Sequence, residues 1–158
     1  MFMDQLDIRI LRVIQQEART PQADLGRKVG LSTSSVNERL RKLNQQGIID
    51  RYAAILEPGR LGLGLCAFIQ VLLERPADEA DFLTRVRKSP RVLECHHVSG
   101  GYSYLLKVRT RDTAGLERVL NEVVKSGSGV IRTETLVVLS TAKETTCLDL
   151  GGGGISRG

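Results

Sequence analysis

Residues 27–42 are richer than the chain average in side chains suited to binding a polyanion, with five basic residues against one acid. Within this stretch, residues 32–43 read STSSVNERLRKL, and Val36, Leu40 and Leu43 recur at the spacing of a helix with one buried face. The opposite face offers asparagine and arginine for base edges, and arginine and lysine for phosphates. This combination favours duplex DNA as a partner, although an ordinary solvated amphipathic helix has the same spacing.

The candidate DNA-contacting side chains differ in the chemistry they offer. Ser32 is mainly suited to capping the helix, whereas the short polar groups after it could touch base edges. Arg39 could contact a phosphate, reach a guanine or pair with an acidic neighbour. Arg51, beyond the helix, is either a phosphate contact or a solvated strand residue. The full candidate set is Ser32, Thr33, Ser34, Ser35, Asn37, Glu38, Arg39, Arg41, Lys42 and Arg51.

Two shorter helical segments precede this helix and must position it. Residues 4–18 carry apolar side chains on one face, with acids near the start where negative charge suits the helix dipole. Pro21 suits the first turn of a second helix, and Gly30 ends it because glycine enters the left-handed conformation at little cost. Gly26 lies on the inner face, where a small residue permits close helix crossing. The pattern predicts a helix-turn-helix, with a generic three-helix bundle as the alternative.

The rest of the chain predicts a wing, a connector and a second domain. Residues 48–56 read as one or two extended segments, and a hairpin there would form the wing of a winged helix. Residues 1–58 are therefore the predicted DNA-binding domain, residues 59–64 the connector and residues 65–150 the second domain. The expected elements of the second domain are strand 65–74, helix 78–88, strands 92–98 and 102–109, helix 112–125 and strand 130–141.

This βαββαβ order indicates an α+β fold in which two helices back a four-stranded antiparallel sheet, as in ferredoxin-like domains. Residues 143–150 are a candidate edge strand. Residues 151–158, GGGGISRG, have nothing to bury, and we expect them to be disordered or foreign to the native chain.

Composition narrows the class of protein. The 158 residues are 41% hydrophobic, enough for one or two cored domains, and the formal net charge of +5 fits a polyanion partner. The three cysteines are far apart with no CxxC pair, which argues against a disulfide scaffold and fits a reducing cytoplasm. We expect no membrane span, because no apolar run approaches the roughly 20 residues required. The few aromatic residues favour duplex over single-stranded nucleic acid.

Residues 94–97, Glu-Cys-His-His, are of types found in metal and nucleophilic sites. Neighbouring residues on a strand point to opposite faces, so His96 and His97 cannot both face one metal from a regular strand. A histidine at a dimer interface, where it could make assembly pH-sensitive, is the favoured interpretation. The chain has no GxGxxG or Walker pattern, and no converging acid, base and nucleophile indicates an enzyme.

Taken together, these segments resemble the Lrp/AsnC, or feast/famine, family of transcription regulators of bacteria and archaea. The matching segments are LDIRIL at 6–11, VGLSTSSVNERLRKL at 29–43, GIIDRYAAIL at 47–56, VLECHHVSG at 92–100, YSYLLKV at 102–108 and GVIRTETLVVL at 129–139. The resemblance implies a winged helix-turn-helix joined to a βαββαβ regulatory (RAM) domain. It also implies dimers built through the sheet of that domain, frequent assembly to octamers, and an amino-acid effector, and we expect no cofactor or metal.

The resemblance places the effector at a loop of the form Gly-x-Tyr-Asp-Tyr. In this chain the loop reads Gly100, Gly101, Tyr102, Ser103 and Tyr104. Ser103 stands where an aspartate is usual, and an aspartate could pair with a ligand ammonium group whereas serine offers only a hydroxyl. Thr133 and Thr135, on the last strand, match a Thr-x-Thr pattern near that loop.

The predicted function is a sequence-specific, duplex-DNA-binding transcription regulator that acts in the cytoplasm as a dimer or higher oligomer and is tuned by a small amino acid. One alternative is an amino-acid-sensing or assembly module without effector-controlled DNA binding. A ferredoxin-like enzyme is the other.

Overall fold

A computed structural model describes residues 3–151, which divide into two compact units. The first unit comprises the chain up to Ile55 together with the segment that follows Ala142, and the second comprises Leu56–Ala142. Each unit has its own hydrophobic core. No helix among the described residues is long and apolar enough to cross a bilayer, and Cys66, Cys95 and Cys147 are free thiols.

Three helices form the first unit: α1 (Gln5–Gln16), α2 (Gln22–Val29) and α3 (Thr33–Gln45). Local hydrogen bonds fix where α1 and α3 begin. The Asp7 N–H donates to the Asp4 carboxylate at 2.8 Å, and the Asp4 N–H donates to the Asp7 carboxylate at 3.2 Å. The Ser35 N–H donates to Ser32 Oγ at 3.2 Å, which confirms the predicted Ser32 cap. The buried faces meet through Ile10, Leu11, Ile14, Leu25, Val29, Val36 and Leu43.

The turn between α2 and α3 depends on two glycines. Gly30 has a φ of 76°, the left-handed conformation predicted for it, and this reverses the chain after α2. A Cβ on Gly26 would lie 2.6 Å from the Leu31 carbonyl oxygen. The close approach is thus to the backbone of the turn, which is a more specific reason for glycine than the helix crossing we expected.

The segment 48–57 has no regular secondary structure and pairs with no strand among the described residues. The hairpin predicted for residues 48–56 therefore does not form within the described chain. The segment lacks a glycine-containing turn between its halves, and an isolated two-stranded hairpin is at best marginally stable in water. Its Tyr52, Ile55 and Leu56 remain exposed.

The second unit follows the predicted βαββαβ order. Its elements are β1 (Leu65–Leu73), α4 (Glu79–Lys88), β2 (Val92–His97), β3 (Tyr104–Thr110), α5 (Thr113–Val119), which continues into a π-helical turn (Leu120–Val124), and β4 (Val130–Val137). Asp112 caps α5 by accepting from the Gly115 N–H at 2.7 Å. β4 ends earlier than predicted because its partner strand begins at Leu65, and a bond from the Val138 N–H to the Cys66 carbonyl ends the pairing.

The four strands form one antiparallel sheet in the order β2-β3-β1-β4, the arrangement of ferredoxin-like domains. Side chains alternate across it, so Ala67, Ile69 and Val71 are buried in the core with α4 and α5. Phe68 and Leu72 point to the opposite side, which no helix of this unit covers. We call this side the open sheet face; its residues are Phe68, Gln70, Leu72, Glu94, His96, Leu105, Lys107, Arg132, Glu134 and Leu136.

Residues 143–151 pack with the first unit instead of extending the sheet. They form no strand pairing, so the predicted edge strand at residues 143–150 is wrong. The physical reason is that α1 offers this segment hydrogen-bond partners, and the core of the first unit offers an apolar contact for Leu150. Residues 152–158, most of the glycine-rich end predicted to be disordered, lie outside the described residues.

Candidate nucleic-acid interface and effector region

The solvent-facing side of α3 carries most of the candidate DNA contacts. It lies opposite Val36 and Leu43, whose exposed fractions are 0% and 3%. Ser35 and Arg39 are half-buried at its margin. The sequence therefore builds a helix with a fixed apolar face and a row of polar groups directed to solvent. The exposed candidates are Ser32, Thr33, Ser34, Asn37, Glu38, Arg41 and Lys42.

Arg41 is the guanidinium on this side that is best placed to reach a phosphate. It donates to Gln45 Oε1 at a long 3.4 Å and makes no ion pair with another described residue. Lys42 lies 2.6 Å from Glu38 Oε1, and this pair lowers the pKa of the Glu38 carboxyl. Both partners are more than half exposed, and such surface pairs contribute little, so Lys42 can exchange Glu38 for a phosphate.

Arg39 is held by α1. Its Nη1 donates to Asp4 Oδ2 and to Asp7 Oδ1, each at 2.7 Å. These bonds, first to Asp7 and then to Asp4, raise the pKa of the guanidinium, and the Asp7 N–H together with Arg39 lowers the pKa of Asp4. Of the roles considered for Arg39, pairing with an acidic neighbour is the one that this geometry supports. Arg39 ties α3 to the start of α1.

Replacing Arg39 with methionine should lower the free energy of unfolding by about 1–2 kcal/mol, because two charge-assisted hydrogen bonds are lost at a partly exposed site. Methionine keeps much of the apolar stem. Urea unfolding followed by circular dichroism measures the change, with Arg41→Met as the control because Arg41 is exposed and makes no ion pair with a described residue. Equal losses in the two variants would contradict the pairing role of Arg39.

The same ion pair predicts an acid dependence. The folded state lowers the pKa of Asp4, so this stabilisation is present above the unfolded pKa of about 3.9 and is lost as the pH falls through the folded value. The stability difference between the wild type and Arg39→Met should therefore be largest near neutral pH and shrink below about pH 4. If the stability difference between the two proteins stays constant below about pH 4, the ion pair of Arg39 with Asp4 is not its cause.

A cleft of about 450 Å³ borders α3 on the side of α2. Asn37 and Arg41 line it from α3, together with Asn44, and Gln22 lines it from the first turn of α2. Sequence reasoning missed Gln22 and Asn44. The available signal for Gln22 was its place at a helix start, where free backbone N–H groups attract anions. Asn44 gave no such signal in the sequence. In the structure its side-chain amide donates to the Leu40 carbonyl at 2.8 Å.

Arg51 lies in the irregular segment after α3 and is 80% exposed. Its nearest charged group is Asp50, at 3.8 Å. This segment pairs with no strand among the described residues. No wing therefore holds Arg51 in place in the described part of the chain.

Tyr102 belongs to a polar cluster with Arg132 and Glu134, two residues of the open sheet face. Its hydroxyl donates to Glu134 Oε2 at 2.7 Å, and the Arg132 guanidinium carbon lies 5.5 Å from its ring centroid. The bond to Glu134 raises the pKa of the phenol. The cluster thus places a carboxylate at the hydroxyl of an aromatic ring and a guanidinium over the face of that ring, and these groups suit a ligand with both an ammonium and a carboxylate group.

Tyr104 points the other way, into the core. It is 4% exposed, and its hydroxyl donates to Glu79. Burial, with that hydrogen bond, raises the pKa of Tyr104 to about 12, so the phenol stays neutral. Thr133 and Thr135 also lie on the helix side, because they pair in register with residues of the core face of β1. The predicted effector residues are therefore divided between the two faces of the sheet.

Ser103 serves the backbone of β1. Its Oγ accepts from the Leu73 N–H at 3.2 Å, where the pairing of β1 with β4 shifts register. An aspartate could accept the same hydrogen bond, so serine preserves this local contact and removes only the charge. In the preceding turn Gly100 has a φ of 125°, which favours glycine, whereas Gly101 has an ordinary φ.

The two histidines point apart, as alternation predicts. His96 Nε2 lies 3.3 Å from Glu94 Oε2 on the open sheet face, and His97 stacks on Tyr104 at 5.1 Å on the other side. Lys107 Nζ also donates to Glu94 at 3.1 Å. Burial acts to raise the pKa of the Glu94 carboxyl, but the hydrogen bonds from Lys107 and His96 outweigh burial and lower that pKa. The described residues contain no group of three side chains placed to hold a metal ion.

Both halves of the chain match known families. Residues 3–50 match the family described as winged helix-turn-helix DNA-binding, and residues 66–148 match the Lrp/AsnC ligand binding domain. The chain is 39% identical over 145 residues to a proline dehydrogenase transcriptional activator of Rhizobium radiobacter, covering 90% of this chain and 93% of that protein. It is 36% identical over 148 residues to the leucine-responsive regulatory protein of Escherichia coli, covering 92% and 90%.

Solved structures agree with these matches. A transcriptional regulator of Neisseria meningitidis, solved as an L-Met complex, superposes with a TM-score of 0.90 at 36% identity and covers 94% of this chain and 97% of its own. AsnC of Escherichia coli superposes with a TM-score of 0.86 at 30% identity, with coverage of 93% and 99%.

Proposed function

Because the chain belongs to the Lrp/AsnC family of transcription regulators, which are not enzymes, we propose that it reads duplex DNA with the solvent-facing side of α3. The main support for this proposal is that the apolar face fixes α3 in the first unit while Arg41, on the opposite side, has no ion partner among the described residues. Arg41 and Lys42 contact phosphates, while Ser34 and Asn37 contact base edges. In this proposal the protein acts on the chromosome, in the cytoplasm.

The open sheet face supports pairing with a second copy of the chain. Its centre is apolar, with Phe68, Leu72 and Leu105 half-buried and Leu136 49% exposed. Charges of both signs surround this centre, which is the composition of an interface with an apolar core and a polar rim. A symmetric dimer built there presents two copies of α3 to two half-sites, and further contacts assemble dimers towards octamers.

The second unit binds a small amino acid at the cluster of Tyr102, Arg132 and Glu134. Arg132 suits the ligand carboxylate and Glu134 the ammonium group, so the cluster supplies the acid that Ser103 lacks. The similar Neisseria regulator was solved with L-Met, which makes L-methionine the first ligand to try.

The DNA-binding proposal is tested by fluorescence anisotropy with duplexes from the region upstream of the protein's own gene and random duplexes of equal length. We expect at least about tenfold tighter binding to the former at equal salt. Affinity should also fall steeply as salt rises, because phosphate contacts release counterions. Equal affinity for the two duplexes would refute sequence-specific binding.

The effector proposal is tested by thermal unfolding in the presence of each of the common amino acids, beginning with L-methionine and L-leucine. A ligand at about 100 times its Kd should stabilise the folded protein by about 2.7 kcal/mol. Arg132→Ala should abolish the shift, since the ligand carboxylate then has no partner. If no amino acid raises the melting temperature, the second unit acts in assembly alone, the alternative function considered from the sequence.

A further inference from the structure

We propose that residues 143–151 form a strap that connects the end of the sheet to α1, and that Gln15 is the positioning residue that docks it. The strap leaves the second unit after Ala142 and packs with the first unit. The two units are thereby joined a second time, in addition to the chain connection at Ile55. The docking stands independently of the proposed function, whereas its effect on DNA binding rests on that function.

The side-chain amide of Gln15 holds the backbone of Leu148 by two hydrogen bonds. Nε2 donates to the Leu148 carbonyl at 2.9 Å, and the Leu148 N–H donates to Oε1 at 3.0 Å. A neighbouring strand would satisfy the same two groups in the same way. The strap has no strand partner among the described residues, so Gln15 takes the place of one.

Contacts on both sides of Leu148 extend this docking. The Cys147 thiol donates to the Gln15 carbonyl at 3.3 Å, and Arg12 Nη2 donates to the Leu150 carbonyl at 3.4 Å. Leu150 packs against the apolar core of the first unit. The strap is therefore held by its backbone and by an apolar anchor, and it follows α1 over nearly one turn, from Gln15 back to Arg12.

A docked strap restricts how far the first unit can move independently of the second. The strand pairing of the sheet ends at Val138 and the docking begins at Cys147, so residues 139–146 link the two and their length limits how far the units can separate. In a dimer, this restriction raises the effective concentration of the second α3 at its half-site once the first has bound. The strap should thus favour duplexes with two half-sites and leave binding to one half-site unchanged.

Docking is tested by hydrogen exchange and mass spectrometry on the full-length protein, using peptides that cover residues 144–150 and 56–64. In Gln15→Met, exchange of residues 144–150 should rise on the order of tenfold, with faster exchange of residues 56–64, which contain the connector at 59–64. Gln16→Met is the matched control, because Gln16 is adjacent and exposed. A second variant, truncated after Ala142, should reproduce the faster connector exchange if the effect comes from the strap.

The functional readout compares anisotropy with duplexes that carry one or two half-sites. Gln15→Met and the truncated chain should lose on the order of tenfold in affinity for the paired sites and none for the single site. A merely structural defect in the first unit would lower both affinities. The proposal is overturned if residues 144–150 of the wild type exchange as fast as a free peptide. It is also overturned if releasing the strap changes neither the exchange of the connector nor the affinity for paired half-sites. If the wild type binds no duplex specifically, the proposed function fails while the exchange data still decide the strap.

Discussion

Replacing Leu136 with lysine should convert the proposed dimer to monomers and weaken binding to duplexes with two half-sites by on the order of 100-fold. Leu136 lies at the apolar centre of the open sheet face, paired in register with Phe68 on β1. A lysine there would place an ammonium group in the middle of a self-complementary interface, and symmetry would introduce it twice. Two separate chains lose the advantage of binding two half-sites together.

Analytical ultracentrifugation measures the first effect and anisotropy the second. Val137→Lys is a closely matched control, because Val137 is the next residue on β4, has 47% exposure against 49% for Leu136, and points to the other side of the sheet. The control should remain dimeric. A dimeric Leu136→Lys protein, or equal dissociation of the two variants, would contradict pairing through the open sheet face.

The elements that could be predicted from the sequence are those that local chemistry determines. Ser32 and Asp112 begin their helices because their side chains accept from a backbone N–H three residues later. Gly30 takes the left-handed conformation that ends α2. These interactions involve neighbouring residues, so the sequence contains all the information that they require.

The sites were less predictable because they depend on contacts between distant residues. The strap contact of Gln15 spans 133 residues, and nothing periodic in the sequence indicates it. The ion pairs of Arg39 span 35 and 32 residues, so pairing with an acid was one role among three. Both depend on how the chain folds back on α1.

The effector loop shows how a small difference in strand bounds changes the assignment of a site. Tyr102 and Tyr104 are two residues apart, and a regular strand would place them on the same face. β3 begins only at Tyr104, however, so Tyr102 still belongs to the turn and reaches Glu134 on the open sheet face. Periodicity alone rarely fixes such a boundary, since strand ends are irregular.

Replacing both Arg41 and Lys42 with alanine should lower the affinity for specific duplex DNA by about 10- to 100-fold and reduce the slope of log affinity against log salt by about 2. Each side chain contributes one phosphate contact in the proposed complex, and each lost contact removes about one released counterion. Both residues are exposed on α3, so folding should be little affected.

Anisotropy at several salt concentrations measures both quantities. The control is Lys88→Ala with Lys125→Ala, which removes the same charge from exposed positions of the second unit. That control should keep most of the affinity and nearly the full salt slope. If the two double variants behave alike, net charge and not the face of α3 determines DNA binding.

Glu38 needs its own variant because Lys42→Ala also removes its ion partner. An unpaired carboxylate on the solvent-facing side of α3, the proposed DNA-binding side, would repel phosphates and exaggerate the loss assigned to Lys42. Adding Glu38→Gln to the double variant removes that repulsion. Affinity should then recover in part while the salt slope stays reduced, because the two phosphate contacts remain absent. If affinity falls further instead, Glu38 accepts a hydrogen bond from a base, as glutamate does from the amino group of cytosine, and belongs to the reading surface.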